Sequence, residues 1–169
     1  MRNLLLSVLL MMACSTTTSS TEANTDTNHA SDRGAINAMI ADRFIAGWNN
    51  HDAHLFASAF AEDADFTNVR GVSVSGRESI ETFHAQAFEK LFMHSHQTAE
   101  LKKIRFVNPN IAIVDARWEM TGAVSAEGLP IPYRTGLLAL VCTSSAGRWV
   151  ITVMHNVDLT TAGAPSSRK

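Results

Sequence analysis

Cysteine, tyrosine and proline are scarce in this chain, with two, one and four among 169 residues. The cysteines, at 14 and 142, form no CxxC or other zinc-type spacing, so no structural zinc site organises the fold. Charge is also thin. Fourteen lysines and arginines face sixteen aspartates and glutamates, for a net −2. The basic residues are scattered, which argues against a nucleic-acid partner. No apolar run approaches the roughly 20 residues that a membrane-spanning helix needs. There is no Gly-rich phosphate loop and no βαβ rhythm, so no nucleotide cofactor is expected, and no other cofactor motif is visible. What is present is 46% hydrophobic content, enough for one domain with a sizeable core.

The first residues are unlike the rest. Arg2 is the only charge ahead of a short apolar stretch, Leu4 to Met12, which ends at Ala13-Cys14. This pattern resembles a bacterial lipobox and predicts a signal peptide over 1–13, with Cys14 becoming the lipidated mature N-terminus. A Ser/Thr-rich stretch follows, read as a flexible tether over 14–32, because it carries too little apolar surface to offset its ordering entropy. Together these place the protein at the cell envelope, on the periplasmic side of a bacterial membrane and held there by lipid alone. With Cys14 lipidated, Cys142 has no disulfide partner; it lies in the apolar run LLALVC and reads as core.

The folded domain is expected over 33–159, followed by a disordered tail over 160–169. Ile36, Met39, Ile40, Phe44 and Trp48 form one helical stripe, with Asp32 as its expected cap. Asp52 is placed to cap a short second helix carrying Phe56 and Phe60. Ser75-Gly76-Arg77-Glu78 has capping-box spacing ahead of a third stripe that includes Ile80, His84 and Phe88. Between these helices the acidic corner Glu62-Asp63-Ala64-Asp65 is read as a turn into a strand over 65–69, paired with one over 72–74. Four strands then follow, near 96–107, 111–121, 133–143 and 149–158. Helices first and a long antiparallel meander after them make an α+β pattern.

Five segments, AGWNNHDAHLFASAFAEDADFTNVRG, GRESIETFH, VNPNIAIVDARWEMTG, RTGLLALV and GRWVITVMHN, stand in the order and spacing of a known group. In them the chain resembles the SgcJ/EcaC-type SnoaL-like proteins of the nuclear-transport-factor-2-like, or cystatin-like, superfamily. The resemblance spans about residues 36–158. It implies a strongly curved antiparallel sheet wrapped around helices as a cone, a cavity at the open end, and a homodimer formed through the outer sheet face. It does not specify a reaction.

Period-two alternation puts Val114, Ala116, Trp118 and Met120 on the concave face and Asp115, Arg117 and Glu119 on the other. The same parity applied to RWVITVMHNVD groups Trp149, Ile151, Val153 and His155 on one face, with Val150, Thr152, Met154 and Asn156 on the other. Asn68, His84, Trp118 and His155 are expected to border one concave site, with His155 and His84 as candidate acid–base groups. Trp48, Asn68, Trp118, Arg134 and Asn156 are candidate ligand-binding residues. Arg134 reads equally as an anion anchor or as the partner of Glu119 or Asp158. His94 and His96 lack a third fixed ligand, so no metal is expected. Two functions fit these residues. One is a cavity that binds a small, largely apolar molecule and isomerises, cyclises or dehydrates it without a cofactor. The other is a non-catalytic module that captures a ligand or docks a partner at the envelope.

Overall fold

The computed structural model describes residues 19–159. The lipidation site at Cys14, the signal segment 1–13 and the tail 160–169 lie outside the described residues. The first helix, α1, runs Ser19–Met39 and passes through a π-helical segment, Ile40–Ile45, into α2, Ala46–Asn49. The expected tether is therefore helical from Ser19, and Asp32 does not cap the helix. Its Oδ1 instead accepts the indole N–H of Trp149 at 2.9 Å, pinning α1 to the last strand. The π segment has a physical reason. Ile36, Ile40, Phe44 and Trp48 recur every four residues, and in a 3.6-residue helix each such step drifts by about 40°. A wider π turn offsets that drift and keeps all four side chains buried.

Short α3, Ala53–Ala57, begins at Asp52, whose Oδ1 accepts the Leu55 N–H at 2.9 Å. Strand β1, Phe60–Thr67, contains the acidic corner that the sequence presents as a turn. Glu62 and Asp63 are exposed there, at a register break between Phe60 and Asp65, so the corner is a strand irregularity. Strand β2, Ser73–Ser75, leads to α4, Arg77–Lys90. The capping box does not form, because the Ser75 hydroxyl donates to Asp65 at 2.6 Å and Gly76 is the N-cap.

The meander follows as β3, His96–Asn108; β4, Ile111–Thr121; β5, Arg134–Ser145; and β6, Arg148–Asp158. The six strands form one curved, unclosed sheet in the order β2-β1-β6-β5-β4-β3. One pair departs from the expected antiparallel pattern: β1 lies parallel to β6. The chain leaves β1, crosses α4 and three meander strands, and returns alongside it, as a parallel pair requires. Register breaks in β1, β3 and β6 accompany the curvature, since a bulge bends a strand and sharpens its twist.

The concave face is apolar. Val114, Ala116, Trp118 and Met120 of β4, Leu138, Leu140 and Cys142 of β5, and Met154 of β6 are all buried. They pack with Ile40, Phe44, Phe56, Phe60, Ile80 and Phe88 from the helices. Burial pushes the Cys142 thiol up to about 12, as befits an inert core residue.

Candidate functional site

The core does not fill the cone. Between the helices and the open end of the sheet lies a cavity of about 530 Å³, within the range of small-molecule sites. Trp48, Phe56, Phe66, Phe83 and Met120 wall it with apolar surface. Polar groups enter its inner wall at three places, and Asn68 and Arg70 line it as well.

The first is α4. His84 sits one helical turn past Ile80 and is 2% exposed. Its ring lies 4.1 Å from that of Phe56 and 4.9 Å from that of Phe66. Nδ1 stands 2.8 Å from the Ile80 carbonyl oxygen. A carbonyl can only accept, so Nδ1 carries the proton and Nε2 keeps the lone pair. Nε2 makes no hydrogen bond among the described residues. Burial lowers the His84 pKa to about 4, against a smaller upward effect of the Ile80 bond. The imidazole bordering the cavity is therefore neutral at neutral pH.

The second lies on β4, β5 and β6. Trp118 pairs with Gly136, which in turn pairs with Asp158. A Cβ at position 136 would stand 2.4 Å from the Trp118 ring. The absence of a side chain lets the indole lie flat across β5, where its N–H reaches Asn156 Oδ1 at 2.7 Å. Arg134 spans the same strands. Its Nε and Nη2 donate to Asp158 Oδ2 at 2.9 and 2.6 Å, and its guanidinium carbon stands 5.6 Å from the Trp118 ring centre. Arg134 is thus committed to an internal pair and is not poised as a free anion anchor. Glu119 is not its partner, since it lies on the exposed face at 4.0 Å from Arg117.

The third is Gln97 on β3, opposite Met120, 2% exposed and on the cavity wall. Sequence reasoning missed it, although Gln97 shares a strand face with Ala99 and Leu101, where a polar residue is unusual.

Of the expected site residues, Trp48, Asn68, His84, Trp118, Arg134 and Asn156 all border this cavity. Trp48 donates its indole N–H to Ser95 Oγ at 3.0 Å. Asn68 sits at the rim, and its Oδ1 accepts the Arg70 and Val72 N–H groups at 2.8 and 3.0 Å, so that oxygen is spent on the turn between β1 and β2. His155 does not join them. It is exposed on the outer face, paired with Ala139 and Thr67. The cause is a register shift: Val141 pairs with Val153 and Cys142 with Ile151, leaving Thr152 as an extra residue in β6. Beyond it the parity inverts, so that Met154, Asn156 and Asp158 turn inward.

A curved sheet folded over helices around an apolar cavity with a few fixed polar groups defines a cone domain of the nuclear-transport-factor-2-like, cystatin-like type. The chain belongs to the SnoaL-like domain family, whose model matches residues 41–151. It is similar to the crystal structure of an uncharacterised cystatin-like-fold protein from Caulobacter vibrioides. That match has a TM-score of 0.66 and 26% identity, covering 76% of this chain and 89% of that one. The fold is shared with a hexachlorocyclohexane dehydrochlorinase, at a TM-score of 0.68 and 17% identity over 85% of this chain and 99% of that one. It is also shared with a ketosteroid isomerase-like protein from Erwinia carotovora atroseptica, at a TM-score of 0.62 and 15% identity over 78% and 96% of the two chains. No curated protein matches the chain.

Proposed function

We propose that this protein, a SnoaL-like domain of the SgcJ/EcaC type, binds a small, largely apolar organic molecule inside the cone. The observation that carries this reading is the cavity itself: about 530 Å³, walled by aromatic rings and bordered by a neutral imidazole. Binding of uncharged ring compounds follows from that lining, because burying apolar area is the main driving force available there. The test is mass spectrometry of small molecules that co-purify with the intact protein, beside an Ala87→Trp variant, since Ala87 lines the cavity. Retained organic molecules that disappear in the variant support the reading. An identical small-molecule content in both proteins refutes it.

A second reading, cofactor-independent isomerisation, cyclisation or dehydration of the bound molecule, is favoured by the Nε2 lone pair of His84 on the cavity wall. It ranks lower on chemical grounds. A base with a pKa of about 4 is weak at neutral pH, and the carboxylate bordering the cavity, Asp158, is held by Arg134. Turnover that is lost in His84→Gln while the ligand still binds would promote it. Lipid anchoring through Cys14 at the periplasmic side of the envelope completes the proposal, supported by the apolar stretch before that residue. It requires Cys14→Ser to move the protein from detergent extract to the aqueous fraction.

A further inference from the structure

Residue 97 serves the fold through its backbone. Its N–H donates to Asn49 Oδ1 at 2.8 Å and its carbonyl accepts from Asn49 Nδ2 at 2.9 Å, which clamps the end of α2 to β3. Its side chain does something else. The amide is carried into the cavity wall with the residue 2% exposed, and Oε1 has no hydrogen-bond partner among the described residues. A buried amide left unpaired is costly, and an aliphatic side chain of equal length would fill the same volume without that cost. The fold therefore gives no reason for glutamine at this position.

His84 borders the same cavity from α4. Its Nδ1 is committed to Ile80, so its unengaged nitrogen can only accept. Of the two cations lining the cavity, Arg134 already spends Nε and Nη2 on Asp158 and Arg70 is exposed to solvent, away from the aromatic interior. An anionic ligand would thus lose its hydration without a dedicated counter-charge, and that loss is unfavourable.

We propose that Gln97 and His84 form a polar recognition pair selecting an uncharged ring compound that bears a hydroxyl group, and that the cavity discriminates against the corresponding carboxylate. The inference rests on the small-molecule-binding reading and specifies its ligand class. The hydroxyl donates its single hydrogen to His84 Nε2, whose Nδ1 is engaged by Ile80, and its oxygen accepts from the Gln97 side-chain N–H, while the ring occupies the aromatic surroundings of Trp48, Phe56 and Phe66.

The experiment uses three probes of one shape, naphthalene, 2-naphthol and 2-naphthoate, titrated into the full chain and followed by quenching of Trp48 and Trp118, which both line the cavity. 2-Naphthol is expected to bind about tenfold more tightly than naphthalene, the scale of one hydrogen bond to an otherwise unpaired buried group. 2-Naphthoate is expected to be the weakest of the three. In Gln97→Met the 2-naphthol advantage should shrink about five- to tenfold while naphthalene affinity holds. The urea midpoint of that variant should stay level or rise, which separates lost recognition from lost folding. His84→Leu should reduce the advantage in the same direction. Equal affinities for naphthalene and 2-naphthol, or tightest binding of 2-naphthoate, overturn the inference while leaving the binding reading intact. Failure of all three probes to bind overturns both.

Discussion

His84 offers a measurable consequence of burial. Enclosed by Phe56, Phe66, Phe83 and Phe88, its imidazole has its pKa lowered from 6.5 to about 4 by desolvation. In the unfolded chain the same ring protonates near its ordinary value. Above about pH 6.5 both states are neutral, and the histidine imposes no pH dependence. Between about pH 6.5 and 4 the unfolded state holds a proton that the folded state does not, so stability falls as the pH falls. Below about 4 both states are protonated and the loss is complete. At about 1.4 kcal/mol per pH unit, the full loss is about 3.5 kcal/mol. Substituting His84→Leu removes the titration and adds a pH-independent offset from the altered packing. Urea unfolding at several pH values between about 7.5 and 4.5 measures both proteins. With a urea slope in the ordinary range of about 1–3 kcal/mol/M, the wild-type midpoint should fall by about 0.8–2.5 M more than that of the variant across this interval. All other groups are common to both proteins and cancel in the difference. Parallel midpoint curves would refute the burial argument and leave His84 solvated in the folded state.

Three further outcomes follow from the geometry. Gly136→Ala, whose new methyl would stand 2.4 Å from the Trp118 ring and 2.1 Å from the Val157 carbonyl oxygen, should cost about 3 kcal/mol or more and shift the Trp emission; an unchanged melting temperature and spectrum would contradict the slot assigned to Gly136. Arg134→Met removes the cation paired with Asp158, whose side chain is only 7% exposed, and should destabilise by about 3–5 kcal/mol in urea unfolding; a loss below about 1 kcal/mol would show the pair to be solvated. For the proposed homodimer, Leu137 and Val157 are paired neighbours on the outer sheet face, 44% and 52% exposed, so Leu137→Glu should convert a light-scattering dimer to monomer; a monomeric wild type at micromolar concentration would remove the proposal.

Most of the architecture was legible because it follows from periodicity. The expected strand 111–121 coincides with β4, and the alternation in IVDARWEM placed Trp118 inward and Asp115 outward, as found. The α4 stripe put His84 on the buried side because a histidine between Ile80 and Phe88 shares their helical face. Less legible were features set by contacts distant in sequence. Asp32 has the composition of a helix cap, yet Trp149 takes its carboxylate. Ser75 has capping-box spacing, yet Asp65 across the strand pair takes its hydroxyl hydrogen. Local motifs describe what a side chain can satisfy, and tertiary neighbours compete for it. Gln97 is not singled out in the sequence reading, although it stands as a polar residue beside Ala99 and Leu101 on one strand face. Its missing partner becomes apparent only once Asn49 is seen to take both backbone groups.

The parity error in β6 is the most instructive, because the bulge at Thr152 carries no glycine or proline to announce it. Unbroken alternation would point His155 inward and turn Asn156 and Asp158 outward. The Trp118 indole N–H and the Arg134 guanidinium, both carried inward by β4 and β5, would then lose their partners inside an apolar wall. Each loss is costly, and an unpaired, largely desolvated guanidinium is the worse of the two. One extra residue in β6 removes both penalties at once, at the expense of a local ladder break that the Thr143–Thr152 hydroxyl contact at 2.7 Å helps to fill. A half-buried arginine and a buried indole on neighbouring strands therefore require acceptors from the third. Of the two possible phases of HNVD, only the one with Asn156 and Asp158 inward supplies both an acceptor for the indole and a carboxylate for the guanidinium. Partner demand across the sheet, added to period-two counting within each strand, selects the observed face and takes His155 out of the site.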